Sequence, residues 1–134
     1  MKIKRDEYIL YGLEKYKEVI DKIIADIQAF HEDFNIRVML TEALTNAFKH
    51  GNNSSSDKPI YLRYIYNGKI IKFEIEDSGT GVGNITILDE MSDENLLRDS
   101  GRGLFLIKSM TDKMEFVGNT LIIQTKINTI KNKC

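Results

Sequence analysis

The chain has 134 residues, with 19 Lys and Arg against 20 Asp and Glu, and a formal net charge of -1 at pH 7. Its 42% hydrophobic and 29% charged content lies outside the regime of disordered chains and suits one globular domain spanning 1–134. The near-neutral balance excludes a broad basic field for nucleic acid, and the single cysteine, Cys134, excludes an intrachain disulfide and suits a reducing compartment. The charged start Met1-Lys2-Ile3-Lys4-Arg5-Asp6-Glu7, with no apolar run of membrane length further on, predicts a cytoplasmic protein without a membrane partner.

A short strand is predicted around 2–10. Leu13, Tyr16, Val19, Ile20, Ile23, Ile24, Ile27 and Phe30 then recur at helical spacing and predict an amphipathic helix over 14–30. A second helix is predicted over 35–49, with Asp33 as its N-cap and Gly51 as its C-terminal stop. The polar run Asn52-Asn53-Ser54-Ser55-Ser56-Asp57, followed by the single proline, Pro59, reads as a loop. Residues 60–66 and 69–77 alternate and are rich in β-branched and aromatic side chains, with Asn67-Gly68 between them as the pair for a tight hairpin turn. Residues 78–100 are glycine-rich, then polar, and long enough to serve as a lid. A third helix is predicted from near Gly101, burying Leu104, Phe105, Ile107 and Met110, and strands over 114–117 and 121–127 flank a Gly118-Asn119 turn. This order implies an α+β fold, a two-layer sandwich in which about three helices cover one face of a mixed, mostly antiparallel sheet.

Three clusters of polar and glycine residues carry the chemistry. Glu42, Asn46 and His50 recur every fourth residue of the second helix and form a stripe, since each step rotates only about 40° beyond a full turn. Ile36, Leu40, Ala43 and Ala47 mark the buried centre of that helix, which places Glu42 and Asn46 at its margin. Asp77-Ser78-Gly79-Thr80-Gly81 stands where a strand ends: the glycines permit a sharp turn, and the carboxylate can accept from an exocyclic amine such as that of adenine. Ser100-Gly101-Arg102-Gly103-Leu104 opens a helix, where free N–H groups and the helix dipole favour an anion. Taken singly, each has an ordinary structural explanation: a solvated helix flank, a turn, a helix start. Other nucleotide signatures are missing, since the sequence holds no Gly-x-x-x-x-Gly-Lys-Ser/Thr and Leu106 stands where a dinucleotide fingerprint needs its third glycine. Two histidines and one terminal cysteine make no persuasive zinc site.

In this order, the segments Glu42-Ala43-Leu44-Thr45-Asn46-Ala47-Phe48-Lys49-His50-Gly51-Asn52, Asp77-Ser78-Gly79-Thr80-Gly81 and Gly101-Arg102-Gly103-Leu104-Phe105-Leu106-Ile107 resemble the N, G1 and G2 boxes of the GHKL (Bergerat-fold) ATPases. The His-Gly-Asn ending and the Ser-Gly-Arg-Gly-Leu-Phe-Leu run are most similar to the small anti-sigma-factor serine kinases, and the resemblance covers about 35–127.

The resemblance implies ATP and Mg²⁺ as cofactors. Asn46 would ligate Mg²⁺, Glu42 would be the general base, and Asp77 would take the adenine amine with Gly79 and Gly81 giving room. Thr120 would support Asp77 through water, and His50 belongs to the same nucleotide site. Ser100, Gly101, Arg102, Gly103 and Leu104 would form the phosphate-binding start of the third helix, with 78–100 as the ATP lid. In this kinase family an arginine often precedes the Ser-Gly of the third box, whereas Asp99 stands there in this chain; either Arg98 or Arg102 would have to contact the γ-phosphate. The function so implied is an ATP-dependent protein-serine kinase that phosphorylates a STAS-type anti-sigma-factor antagonist and sequesters a sigma factor. The alternative is a nucleotide-gated binding module that transfers nothing. Related small kinases are homodimers, and a homodimer through the N-terminal strand and first helix is the implied assembly; the competing reading has Val19, Ile23 and Ile27 packing on the chain's own sheet.

Overall fold

The computed structural model describes residues 3–79 and 99–127, with 99–102 described by backbone alone. In chain order the elements are β1 (Lys4–Tyr11), α1 (Tyr16–Ile27), a 3-10 turn (Phe30–Glu32), α2 (Asp33–Asn46), a π-helical turn (Ala47–Gly51), β2 (Pro59–Tyr66), β3 (Ile70–Glu76), α3 (Asp99–Met110), β4 (Lys113–Val117) and β5 (Thr120–Lys126). The five strands form one sheet in the order β1-β2-β3-β5-β4, and every neighbouring pair is antiparallel. The α+β class and the two-layer arrangement are those expected from the order of elements.

One face of the sheet is buried because its strands alternate strictly. Ile60, Leu62, Tyr64 and Tyr66 of β2, Ile71, Phe73 and Ile75 of β3, and Leu121 and Ile123 of β5 all point into the core. The helices close over that face with Ile20, Ile23, Ile24 and Ile27 from α1, Ile36, Leu40 and Leu44 from α2, and Leu104 and Ile107 from α3. The apolar stripe of α1 is therefore spent on its own sheet, and Val19 packs partly buried against the same core. Tyr64 fastens this layer further by donating its hydroxyl to Asp26 Oδ2 of α1 at 2.5 Å. The opposite face is polar: Arg63 bridges Glu7, Glu74 and Glu76 at 3.2, 2.9 and 3.0 Å. Such half-exposed pairs contribute little each, so the face gains solubility more than stability.

Local structure differs from the sequence expectation at four places. Helix α1 stops at Ile27, because Gln28 adopts a left-handed conformation (φ 56°) and its N–H caps the carbonyl of Ile24; Phe30 then lies 65% exposed in the 3-10 turn. Asp33 is the first residue of α2 and not its N-cap: its carboxylate accepts from Arg37 Nε at 2.5 Å, one turn on, and Arg37 also reaches Asp21 of α1. In the β2–β3 hairpin the central pair is Gly68-Lys69, one residue later than Asn67-Gly68. Asn67 Oδ1 accepts from the N–H groups of Lys69 and Ile70, and Gly68 takes the positive φ of 96° at the first central position. Helix α3 begins at Asp99, and Phe105, one step of about 100° from the fully buried Leu104, is 44% exposed.

Phe73, at the centre of β3, is the largest of the fully buried side chains among the described residues. Phe73→Ala is expected to lower the unfolding free energy by about 3–5 kcal/mol, measured by urea denaturation, because the surrounding isoleucines cannot collapse into the space left.

Candidate functional site

The site grows from the end of α2. Its regular turns run to Asn46, and the chain then widens into a π turn closed by the Asn52 N–H on the Ala47 carbonyl at 2.8 Å. A π turn inserts an extra residue into the helical repeat and is found mostly where function demands it. Here it breaks the predicted stripe: Glu42 is half-buried and Asn46 buried, but His50 is turned out to solvent. The same widening carries Gly51 and Asn52 toward the end of β3.

At that end Asp77 is only 4% exposed. Its Oδ1 accepts from the Gly79 N–H at 2.8 Å, while Oδ2 lies against the backbone of Gly51 and has no hydrogen-bond partner among the described residues. A side chain at position 51 would collide with the whole Asp77 carboxymethyl group, and one at position 79 would collide with the Gly51 carbonyl. These two glycines are needed for close approach, which joins the first sequence cluster to the second. Burial pushes the Asp77 carboxyl above the ordinary aspartate range; the Gly79 N–H opposes this and the neighbouring Glu76 charge adds to it.

The third cluster meets the first at a separate contact. A Cβ at Gly103 would stand 2.7 Å from Glu42 Oε1, so the bare helix surface of α3 is what admits the Glu42 carboxylate. Leu104 is fully buried in the core and seats α3 against α2. Ser100, Gly101 and Arg102 lie in the first turn of α3. Gly81 and Arg98, with most of the predicted lid, lie outside the described residues, while Ser78 and Gly79 at its start are within them.

Asn46 presents an unusual group. Its Oδ1 is buried without a hydrogen-bond partner among the described residues. An unpaired buried amide oxygen costs about 1–3 kcal/mol, a cost that an electropositive ligand there would relieve. Such a hard oxygen fits Mg²⁺, an ion that uses few protein ligands and fills its remaining positions with water and phosphate oxygens. Among the described residues no group of three His, Cys, Asp or Glu converges on a metal position.

Two asparagines without an assigned role in the sequence reading hold this geometry. Asn52 is fully buried; its Nδ2 donates to the carbonyls of Lys58 and Pro59 at 3.0 and 3.3 Å, and its Oδ1 accepts from the Ser78 N–H at 2.7 Å. Asn119 donates from Nδ2 to the Asp77 carbonyl at 2.5 Å and accepts the Asp77 N–H on its own carbonyl at 3.1 Å. Thr120, expected to support Asp77, pairs across the sheet with Glu76, and the direct hold on Asp77 comes from Asn119. The only sequence signal for Asn52 was its position directly after His50-Gly51, in a run whose composition reads as solvated loop.

A raised carboxyl pKa in the folded state means that ionised Asp77 opposes folding, so its contribution is most favourable at low pH and is lost as pH rises through the folded-state value. Asp77→Asn, which keeps the acceptor for the Gly79 N–H, is therefore expected to melt at or above the wild-type temperature at pH 7. Its advantage should shrink as pH falls below the Asp77 pKa, a trend that differential scanning calorimetry from pH 4 to 8 measures. Gly51→Ala, by contrast, is expected to lower the melting temperature because no rotamer of Asp77 avoids the new methyl group in its present position.

Comparison with known proteins agrees with this architecture. The chain is 29% identical over 89 residues to proteins named anti-sigma F factor from Bacillus thuringiensis (strain Al Hakam), Bacillus mycoides (strain KBAB4) and Bacillus anthracis (strain A0248). Each match covers 63% of this chain and 59% of the relative, so the likeness spans rather more than half the length of those proteins. Among the described residues no helix is long and apolar enough to cross a membrane. Residues 13–125, which include all three clusters, the three helices and strands β2 to β4 with nearly all of β5, match the histidine kinase-like ATPase domain, and the chain belongs to that family.

Proposed function

We propose that this chain is an ATP-dependent protein-serine kinase and anti-sigma factor that phosphorylates a STAS-type anti-sigma-factor antagonist and sequesters a sigma factor. The observation that carries this reading is the convergence of the first cluster on both others, Glu42 against Gly103 and Gly51 against Asp77. The names of the matched relatives support the sigma-factor part. In this reading the domain is 1–134, residues 78–100 form the ATP lid, and the protein works in the cytoplasm without nucleic acid or membrane. A homodimer would use the N-terminal strand, where Ile9 and Tyr11 are exposed.

The roles follow from the chemistry of each group. Asp77 Oδ2 accepts from the adenine amine, with Gly79 and Gly81 beside the base. Asn46 Oδ1 would hold Mg²⁺, which would supply charge neutralisation to the phosphates. Ser100, Gly101, Arg102 and Gly103 bind the phosphates at the start of α3, with Leu104 anchoring that helix, and either Arg98 or Arg102 contacts the γ-phosphoryl group. His50 borders the nucleotide from the π turn, and Thr120 supports Asp77 through water. Glu42 takes the proton of the partner's serine hydroxyl as its oxygen bonds to the γ-phosphorus and the bond to the β-phosphate oxygen breaks, releasing ADP.

With γ-labelled ATP and Mg²⁺, the wild type is expected to label one small partner protein, and Glu42→Ala to lower that transfer by about 10²–10⁴-fold with ATP binding retained. Gly103→Ala, which crowds only the tip of the Glu42 side chain, is expected to reduce transfer while changing stability by about 1 kcal/mol or less. Equal labelling by wild type and Glu42→Ala would reject Glu42 as the base. Asp99, standing where the family often has arginine, favours a second reading, a nucleotide-gated binding module. That reading gives no label and a partner complex that depends on nucleotide and survives Glu42→Ala.

A further inference from the structure

The turn that carries Asp77 is held more tightly than its sequence requires. Three successive peptide N–H groups are pinned: that of Asp77 by the Asn119 carbonyl at 3.1 Å, that of Ser78 by Asn52 Oδ1 at 2.7 Å, and that of Gly79 by Asp77 Oδ1 at 2.8 Å. The Asp77 carbonyl is taken by Asn119 Nδ2 at 2.5 Å, and the Ser78 hydroxyl donates to the Pro59 carbonyl at 3.0 Å. Asn52 works from the α2 side and Asn119 from the β4–β5 turn, so the strand end is gripped from two elements that do not otherwise meet there. The outcome is a carboxylate with one oxygen consumed internally and the other, against Gly51, left as an acceptor among the described residues. A short aspartate has two side-chain torsions, and fixing its backbone on both sides leaves it little freedom to realign.

We propose that Asn52 and Asn119 are positioning residues that set the base selectivity of this site, acting through Asp77. The inference rests on the reading of Asp77 as the acceptor for an exocyclic amine and is independent of whether phosphoryl transfer occurs. A polar site discriminates against a ligand lacking its hydrogen-bonding group only while the protein partner is held unpaired in the correct place. If either asparagine is truncated, the turn relaxes, Oδ2 finds water or another donor, and discrimination falls. Affinity for the triphosphate end, which depends on other residues, changes much less.

The test is equilibrium binding of ATP and of purine riboside triphosphate, identical except for the missing 6-amino group, to the full chain in Mg²⁺. Wild type is expected to prefer ATP by about tenfold or more. Asp77→Asn, Asn52→Ala and Asn119→Ala should each reduce that preference to about threefold or less, with purine riboside triphosphate affinity staying within about threefold of wild type. A role confined to folding would weaken both nucleotides together and leave the ratio unchanged, which overturns the proposal. A ratio lost in Asp77→Asn but kept in both asparagine variants overturns it while leaving the reading of Asp77 intact. No preference in the wild type overturns both. Asn119 is only half-buried, so Asn119→Ala carries the test if Asn52→Ala fails to fold.

Discussion

Close contact between the Asp77 carboxylate and the backbone of Gly51 is the constraint around which this molecule is organised. It requires that the helical layer and the sheet layer meet at one point without a side chain between them, and it is reached only because α2 widens into a π turn before Gly51. A regular α-helical ending would rotate the following residues differently and move Asn52 off the Ser78 N–H. The core of isoleucine, leucine and phenylalanine supplies the stability against which this local arrangement is set, since burying an ionisable carboxyl at a strand end opposes folding. Asn46 Oδ1, buried at the end of α2 and unpaired among the described residues, is a second such cost.

The two meeting points differ in how firmly their groups are held. Around Asp77 the groups are held closely, because the N–H groups of Asp77, Ser78 and Gly79 are all bonded. Around Glu42 the arrangement is looser: the side chain is long and half-buried, and what admits it is the bare surface at Gly103. A recognition group benefits from being immobile, and a group that must gain and lose a proton benefits from access to solvent. The placement of these carboxylates, one at the end of a central strand and one on a helix flank, suits the roles proposed for them, adenine recognition by Asp77 and proton transfer by Glu42.

The hydrophobic periodicity of the strands and helices was legible in the sequence, because burying one face of a helix or strand leaves a repeat of 3.6 or 2 that no other arrangement satisfies. The element order followed, and with it the α+β layering seen in the sheet β1-β2-β3-β5-β4. The ends were less legible. Asp33 as an N-cap, Phe30 as a buried helical residue and Asn67-Gly68 as the hairpin pair were all reasonable on propensity, and each was displaced by a hydrogen bond or a left-handed residue two to four positions away. Such choices differ by about 1 kcal/mol, which tertiary contacts readily exceed.

What the sequence by itself determined was the set of chemical groups and their order along the chain: a carboxylate and amide on one helix, an Asp-Ser-Gly turn after a strand, and a glycine-rich helix start. Those follow from residue type and local periodicity. Only the tertiary structure decided that Glu42 faces Gly103, that Asp77 rests on Gly51, that His50 leaves the stripe, and that Asn52 and Asn119 hold the strand end. The physical reason is that, apart from the local π turn that moves His50, each of these is a contact between segments distant in sequence, made possible by an absent Cβ or an asparagine amide. Neither an absent side chain nor the burial of a polar one leaves any periodic trace in a single sequence.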